Sequence, residues 1–130
     1  MSDICICGHK KSFDNCCGRF LTGNQLAKTP EQLMRSRYSA YALGGYGDYL
    51  LATWFSATSA GLTAESLSKK TVDWLQLEVL SSQQKGDKAT VEFNAFYREP
   101  DQSGIEVMHE ISVFQRVSGR WLYVGGEVTS

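Results

Sequence analysis

The chain has 130 residues, of which 42% are hydrophobic and 21% charged. This is the size of one ordinary domain with one hydrophobic core, and the balance excludes a disordered chain, a collagen-like repeat and a disulfide-dense scaffold. Thirteen basic against fourteen acidic residues leave a net charge of −1, which gives no support for nucleic acid or a membrane surface as partner.

The first segment, residues 1–28, has little helical or strand periodicity and holds all four cysteines. It carries four basic and two acidic residues, a net of +2; residues 29–130 carry nine and twelve, a net of −3. The opening residues show neither a basic start nor an apolar run, so no signal peptide is expected. No apolar stretch is long enough for a membrane-spanning helix. The expected compartment is a reducing cytoplasm, where clustered cysteines serve as metal ligands or redox groups more often than as structural disulfides.

The cysteine spacing is Cys5-x-Cys7-x8-Cys16-Cys17. Four thiolates complete a tetrahedral shell, and the eight-residue interval can fold back to bring both pairs to one ion. Gly8 and Gly18 follow the two pairs, where tight turns are needed. His9, Lys10, Lys11 and Arg19 lie nearby and can offset the charge of such a centre. Disulfides and free thiols are the alternatives, although a Cys16–Cys17 bridge would be strained.

Thr29-Pro30-Glu31-Gln32 predicts a helix start: Thr29 as cap, Pro30 at the first helical position, Gln32 as capping-box partner. The helix is expected to reach about Leu43 and to break at Gly44-Gly45. A shorter helix follows from Tyr46 to about Trp54, and a third over residues 64–70. From Val72 the period changes to two. Leu75, Leu77 and Val79 alternate with polar residues, as do Ala89, Val91, Phe93 and Ala95. Residues 105–117 and 119–128 make two more strands, with turns at Gly86-Asp87, Pro100 to Gly104 and Ser118-Gly119. Helices followed by a run of antiparallel strands predict an α+β fold, with the helices on one face of a curved sheet.

Cys5-Ile6-Cys7-Gly8-His9-Lys10-Lys11 with Cys16-Cys17-Gly18 resembles the SEC-C motif, a zinc-binding knuckle also found at the C-terminus of the SecA translocation ATPase. Ile6, His9 and Lys10 stand where the motif usually has proline, serine and glycine. Leu33-Met34-Arg35-Ser36-Arg37-Tyr38-Ser39-Ala40-Tyr41, Tyr49-Leu50-Leu51-Ala52-Thr53-Trp54, His109-Glu110-Ile111-Ser112-Val113-Phe114 and Trp121-Leu122-Tyr123-Val124 resemble the YchJ family of bacterial SEC-C proteins. The resemblance implies a zinc knuckle over residues 1–28 and an NTF2-like cone over 29–130. It implies one structural Zn2+ on Cys5, Cys7, Cys16 and Cys17, and no particular reaction.

NTF2-like cones often enclose a cavity between helices and concave sheet. Met34, Arg37, Tyr38 and Tyr41 share one face of the first helix, and Met108, Glu110, Ser112 and Phe114 one face of the third strand. Arg37, Tyr38, Tyr41, Glu110 and Ser112 are therefore the cavity candidates. Glu110 is expected either as a carboxylate paired with Arg37 or, less simply, as a general base. Arg35, four residues after Glu31, reads as half of a solvated ion pair. His109 points away from Glu110 and reads as a sheet histidine. No Walker loop, GxGxxG, GxSxG or HExxH occurs, and no catalytic residue is assigned.

Two functions follow as expectations. In the first, the knuckle docks on a protein or ribosome-associated partner through Lys10, Lys11, Phe13 and Arg19, as the likeness to the SecA knuckle implies. The body then adds a second contact, or a homodimer face through the sheet. In the second, the cone binds or transforms a small molecule around Glu110.

Overall fold

The computed structural model describes residues 4–129. Its elements are α1 (Gly18–Leu21), α2 (Pro30–Leu43), α3 (Gly47–Ala52), α4 (Ala64–Leu67), β1 (Asp73–Lys85), β2 (Lys88–Arg98), β3 (Glu106–Val117) and β4 (Arg120–Thr129). Single 3-10 turns occupy Phe13–Asn15 and Ser56–Thr58. The strands form one antiparallel meander in the order β1-β2-β3-β4.

Helix α2 starts where its capping residues place it. The Thr29 hydroxyl accepts from the Gln32 amide at 3.1 Å. The Gln32 side chain returns to the amide of Lys28 at 2.8 Å, one residue before the usual capping-box position. The helix has no solvent-facing stripe of ordinary width. Leu33, Met34, Ser36, Arg37, Tyr38, Ser39, Ala40 and Ala42 are all buried, because the N-terminal segment, α3 and the sheet surround it. The polar residues among them therefore need partners. Ser36 donates to the Leu33 carbonyl and shares a 2.6 Å hydrogen bond with the Tyr49 hydroxyl.

The sheet buries Leu77, Ala89, Val91, Phe93, Ala95 and Phe114 under α2. Each fully buried large apolar side chain contributes about 1.5–3 kcal/mol. Alternation held in β2 and β3 but not at the start of β1. A bulge between Trp74 and Gln76 inserts one residue, so Trp74 turns inward and Leu75 stays 41% exposed. The β3–β4 hairpin turns on Ser118 and Gly119 with φ of 52° and 83°, the mirror-image turn whose twist matches the strands. The outer edge of β4 is partly covered. Phe55 donates its amide to the Tyr123 carbonyl at 2.7 Å, and the Tyr123 amide donates to the Thr53 carbonyl at 2.8 Å. No helix among the described residues is long and apolar enough to cross a membrane.

Candidate functional site

The cysteine segment folds by local hydrogen bonds. The Cys5 amide donates to the Lys11 carbonyl at 2.7 Å, and the Gly8 amide returns to the Cys5 carbonyl at 3.0 Å. Gly8 has φ of 88°, a left-handed turn that costs glycine nothing. Cys16 follows the 3-10 turn and Cys17 caps α1. Gly18 is packed on Phe13: a Cβ there would lie 2.7 Å from the Phe13 carbonyl oxygen. The second pair of sulfurs is thereby swung back over the first.

All four side chains are buried, and their Sγ atoms lie within 4.8 Å of one another. Cys7 and Cys16 sulfurs are 3.6 Å apart, far beyond a disulfide bond of ~2.05 Å. A tetrahedral ion with metal–sulfur bonds of ~2.3 Å spaces its ligands by ~3.8 Å, so the set fits a four-sulfur metal centre. Its acidity points the same way. Hydrogen bonding from Cys17 pulls the Cys7 thiol down to about 5 against the cost of burial. Burial and the charge on Cys7 push Cys16 up to about 12, and donation to Cys7 together with burial pushes Cys17 up as well. A cation among these sulfurs would favour the ionised form of each.

Helix α2 supplies the surroundings. Arg35 donates to the Cys7 carbonyl at 2.9 Å, stands 4.0 Å from the Cys7 sulfur, and is held by Glu31 at 2.9 Å. The Glu31–Arg35 pair is present, but it is tied to the cysteine cluster. Ser39, one turn on, lies 3.9 Å from the Cys5 sulfur. The sequence places Arg35 only in a solvated pair with Glu31 and does not single out Ser39; the i,i+4 spacing of two polar residues on a buried helix is the one signal that ties them to the cysteines.

The four proposed contact residues differ in placement. Lys10 and Lys11 are exposed. Phe13 is packed against the core. The Arg19 guanidinium donates to the Cys16 carbonyl at 3.0 Å and lies 4.7 Å from the Phe20 ring centroid. Phe13 and Arg19 thus brace the cysteine segment.

On another side of α2 lies a cavity of about 230 Å³. Helix α2 contributes Met34, Arg37, Tyr38 and Tyr41. The sheet contributes apolar walls from Trp74, Phe93, Ala95, Met108 and Phe114, and polar ones from Glu110, Ser112 and Tyr123. All five candidates therefore meet at one cavity. The expected Arg37–Glu110 ion pair does not form. Arg37 spends Nη1 on the Leu50 carbonyl and the Thr53 hydroxyl, each at 2.7 Å. Its guanidinium lies 4.8 Å from the Trp54 ring centroid and 4.6 Å from that of Tyr123. Tyr123 takes the place of a direct contact: its ring meets Arg37, while its hydroxyl donates to Glu110 Oε2 at 3.2 Å. Ser112 donates to the same oxygen. Burial lowers the pKa of Arg37 and raises that of Tyr123. On the convex face, His109 meets Glu92 at 2.7 Å.

The profile of the family described as "YchJ, middle NTF2-like domain" matches residues 29–126. The chain belongs to the YchJ family. The family's NTF2-like body thus ends close to the end of β4 and begins at the α2 cap. A UPF0225 protein of Yersinia pestis (strain Pestoides F) is 40% identical over 131 residues, covering 97% of this chain and 84% of the relative. The solution structure of a SEC-C motif containing protein from Rhodopseudomonas palustris superposes with a TM-score of 0.87 at 37% identity, each chain covered completely. A SEC-C motif containing protein from Psychrobacter arcticus gives 0.79 at 27% identity, over all of this chain and 84% of the other. The α+β cone with an N-terminal cysteine segment is therefore the family's architecture, and the resemblance read from the sequence holds. In this YchJ-family chain the segment and the body share one continuous apolar cluster: the four cysteines pack with Leu33, Met34, Tyr38 and Leu77.

Proposed function

We propose that Cys5, Cys7, Cys16 and Cys17 bind one zinc ion, and that the ion is structural. The observation carrying this is the gathering of four buried sulfurs within 4.8 Å of one another. A tetrahedral set of four sulfurs suits zinc or iron, and the SEC-C likeness favours zinc. Four protein ligands leave no position for water, so the ion supplies no hydrolytic chemistry. It clamps residues 5–17 onto α2. Thiols kept as ligands require a reducing compartment, so this reading carries the cytoplasm with it.

The ion also fixes the loop that carries Lys10 and Lys11. We propose these two exposed lysines as the contact for an acidic surface on a protein or ribosome-associated partner. Phe13 and Arg19 support that loop from behind. Half-exposed Val107 and Val113 on the convex face are the matching candidates for a homodimer contact through the sheet.

Elemental analysis of the full chain, purified without added metal, tests the metal. The expected result is about one zinc per chain, released by thiol modification. Stoichiometric iron, or four free thiols and no metal under reducing conditions, overturns it. For the interaction, Lys10→Glu with Lys11→Glu is expected to abolish partner capture while zinc content is kept. Unchanged capture sinks that part alone.

A further inference from the structure

The cavity's polar groups are arranged, not scattered. Glu110 is 8% exposed, and its Oε2 takes both protein hydrogen bonds, from Ser112 and Tyr123. Among the described residues, Oε1 receives none. Space for this carboxylate comes from Gly126, the cross-strand partner of Ser112. A Cβ at Gly126 would lie 2.5 Å from Glu110 Oε2 and 2.9 Å from its Cδ. The position is therefore clear because the carboxylate lies over it. Tyr38 lines the same cavity with its ring, while its buried hydroxyl, which has no hydrogen-bond partner, feels the charge of Cys7 and not that of Glu110. Native proteins leave few such groups.

We infer that this cavity binds a small neutral ring compound that donates one hydrogen bond to Glu110. Size sets the first limit. A dry cavity of ~150 Å³ accepts benzene, so about 230 Å³ accepts one substituted ring. The aromatic and thioether walls, Trp74, Phe93 and Met108 among them, suit such a ring. Charge sets the second limit. Glu110 and Arg37 both line the cavity, so an anion meets the carboxylate and a cation meets the guanidinium. A hydroxyl or N–H on a neutral ring suits the unused oxygen. This site shares no ligand atom with the cysteine cluster, so it stands or falls apart from the zinc reading.

The test is a titration of the full zinc-loaded chain, followed by amide and methyl NMR shifts, with p-cresol, toluene, benzoate and benzylamine. Millimolar p-cresol is expected to shift Met34, Phe93 and Met108, and to bind roughly tenfold or more tighter than the other three. Glu110→Gln and Gly126→Ala should each remove that advantage while leaving toluene binding unchanged. Glu110→Gln keeps the side chain's shape and serves if Gly126→Ala does not fold. Equal binding of toluene and p-cresol, tighter binding of either charged probe, no shifts at the cavity, or undiminished p-cresol binding in Glu110→Gln would each overturn the inference.

Discussion

The cysteine cluster and the cavity both lie against α2, one at Arg35 and Ser39, the other at Met34, Arg37, Tyr38 and Tyr41. The two sets sit ~130° apart around the helix at ~100° per residue. They bury polar groups by different routes. The cluster gathers four chemically alike groups from 13 consecutive residues, and burial together with the neighbouring Cys7 holds Cys16 and Cys17 back from ionising. The cavity collects unlike groups from residue 34 to residue 123, and these mostly satisfy one another: Ser112 and Tyr123 on Glu110, Thr53 and the Leu50 carbonyl on Arg37. What is left over differs accordingly. At the cluster the shortfall is positive charge, which the proposed ion would supply. At the cavity it is a donor for one oxygen of Glu110, which the proposed ring compound would supply.

The largest effect expected is at the cluster. Cys17 is 1% exposed, and Cys17→Ser should abolish stoichiometric zinc. Metal binding free energy counts as folding free energy, so the loss should reach ~4 kcal/mol or more in urea unfolding. A variant with full zinc and an unchanged midpoint would erase the difference between the two regions. Phe114→Ala is the counterpart on the cavity side. Phe114 is 1% exposed and packs edge-on against Tyr123, so truncation should cost ~3–5 kcal/mol. The folded fraction should still hold one zinc per chain; parallel loss of zinc would mean that the ion depends on the sheet core.

Arg35→Met is expected to be milder. The residue holds the Cys7 carbonyl and stands near its sulfur, and such supporting groups are worth ~10–100-fold in metal affinity. Competition with a chelating dye measures it. An unchanged affinity would return Arg35 to the solvated pair read from its spacing.

That reversal shows what the sequence could tell. The α2 start was legible because Thr29, Pro30 and Gln32 act within one turn. The cysteine cluster was legible because its four members are near neighbours in the chain. The alternation in β2 and β3 placed Glu110 and Ser112 on the inner face. Leu75 was misplaced because a bulge is a pairing event between β1 and β2, with no mark in the β1 sequence alone. The Arg37–Glu110 pair was expected because only charge was weighed. Tyr123, 86 residues after Arg37, comes between them through tertiary packing, and its aromatic face takes the contact.

The smallest predicted change separates the two regions most cleanly. Tyr38→Phe removes a buried hydroxyl that has no partner. Deleting an unsatisfied polar group of unchanged ring shape is neutral or stabilising, by up to ~1 kcal/mol. Burial pushes the Tyr38 phenol from 10.0 up to about 12. A folded-state pKa above the unfolded one means stability that is present below pH 10 and lost as pH rises toward 12. Tyr38→Phe should therefore retain more of its stability across that alkaline window than the parent chain, as read by urea midpoints at stepped pH. Zinc content should not move, since Tyr38 touches no ligand through its hydroxyl. A variant that is instead clearly less stable at neutral pH would show that the hydroxyl is already paired in the folded protein.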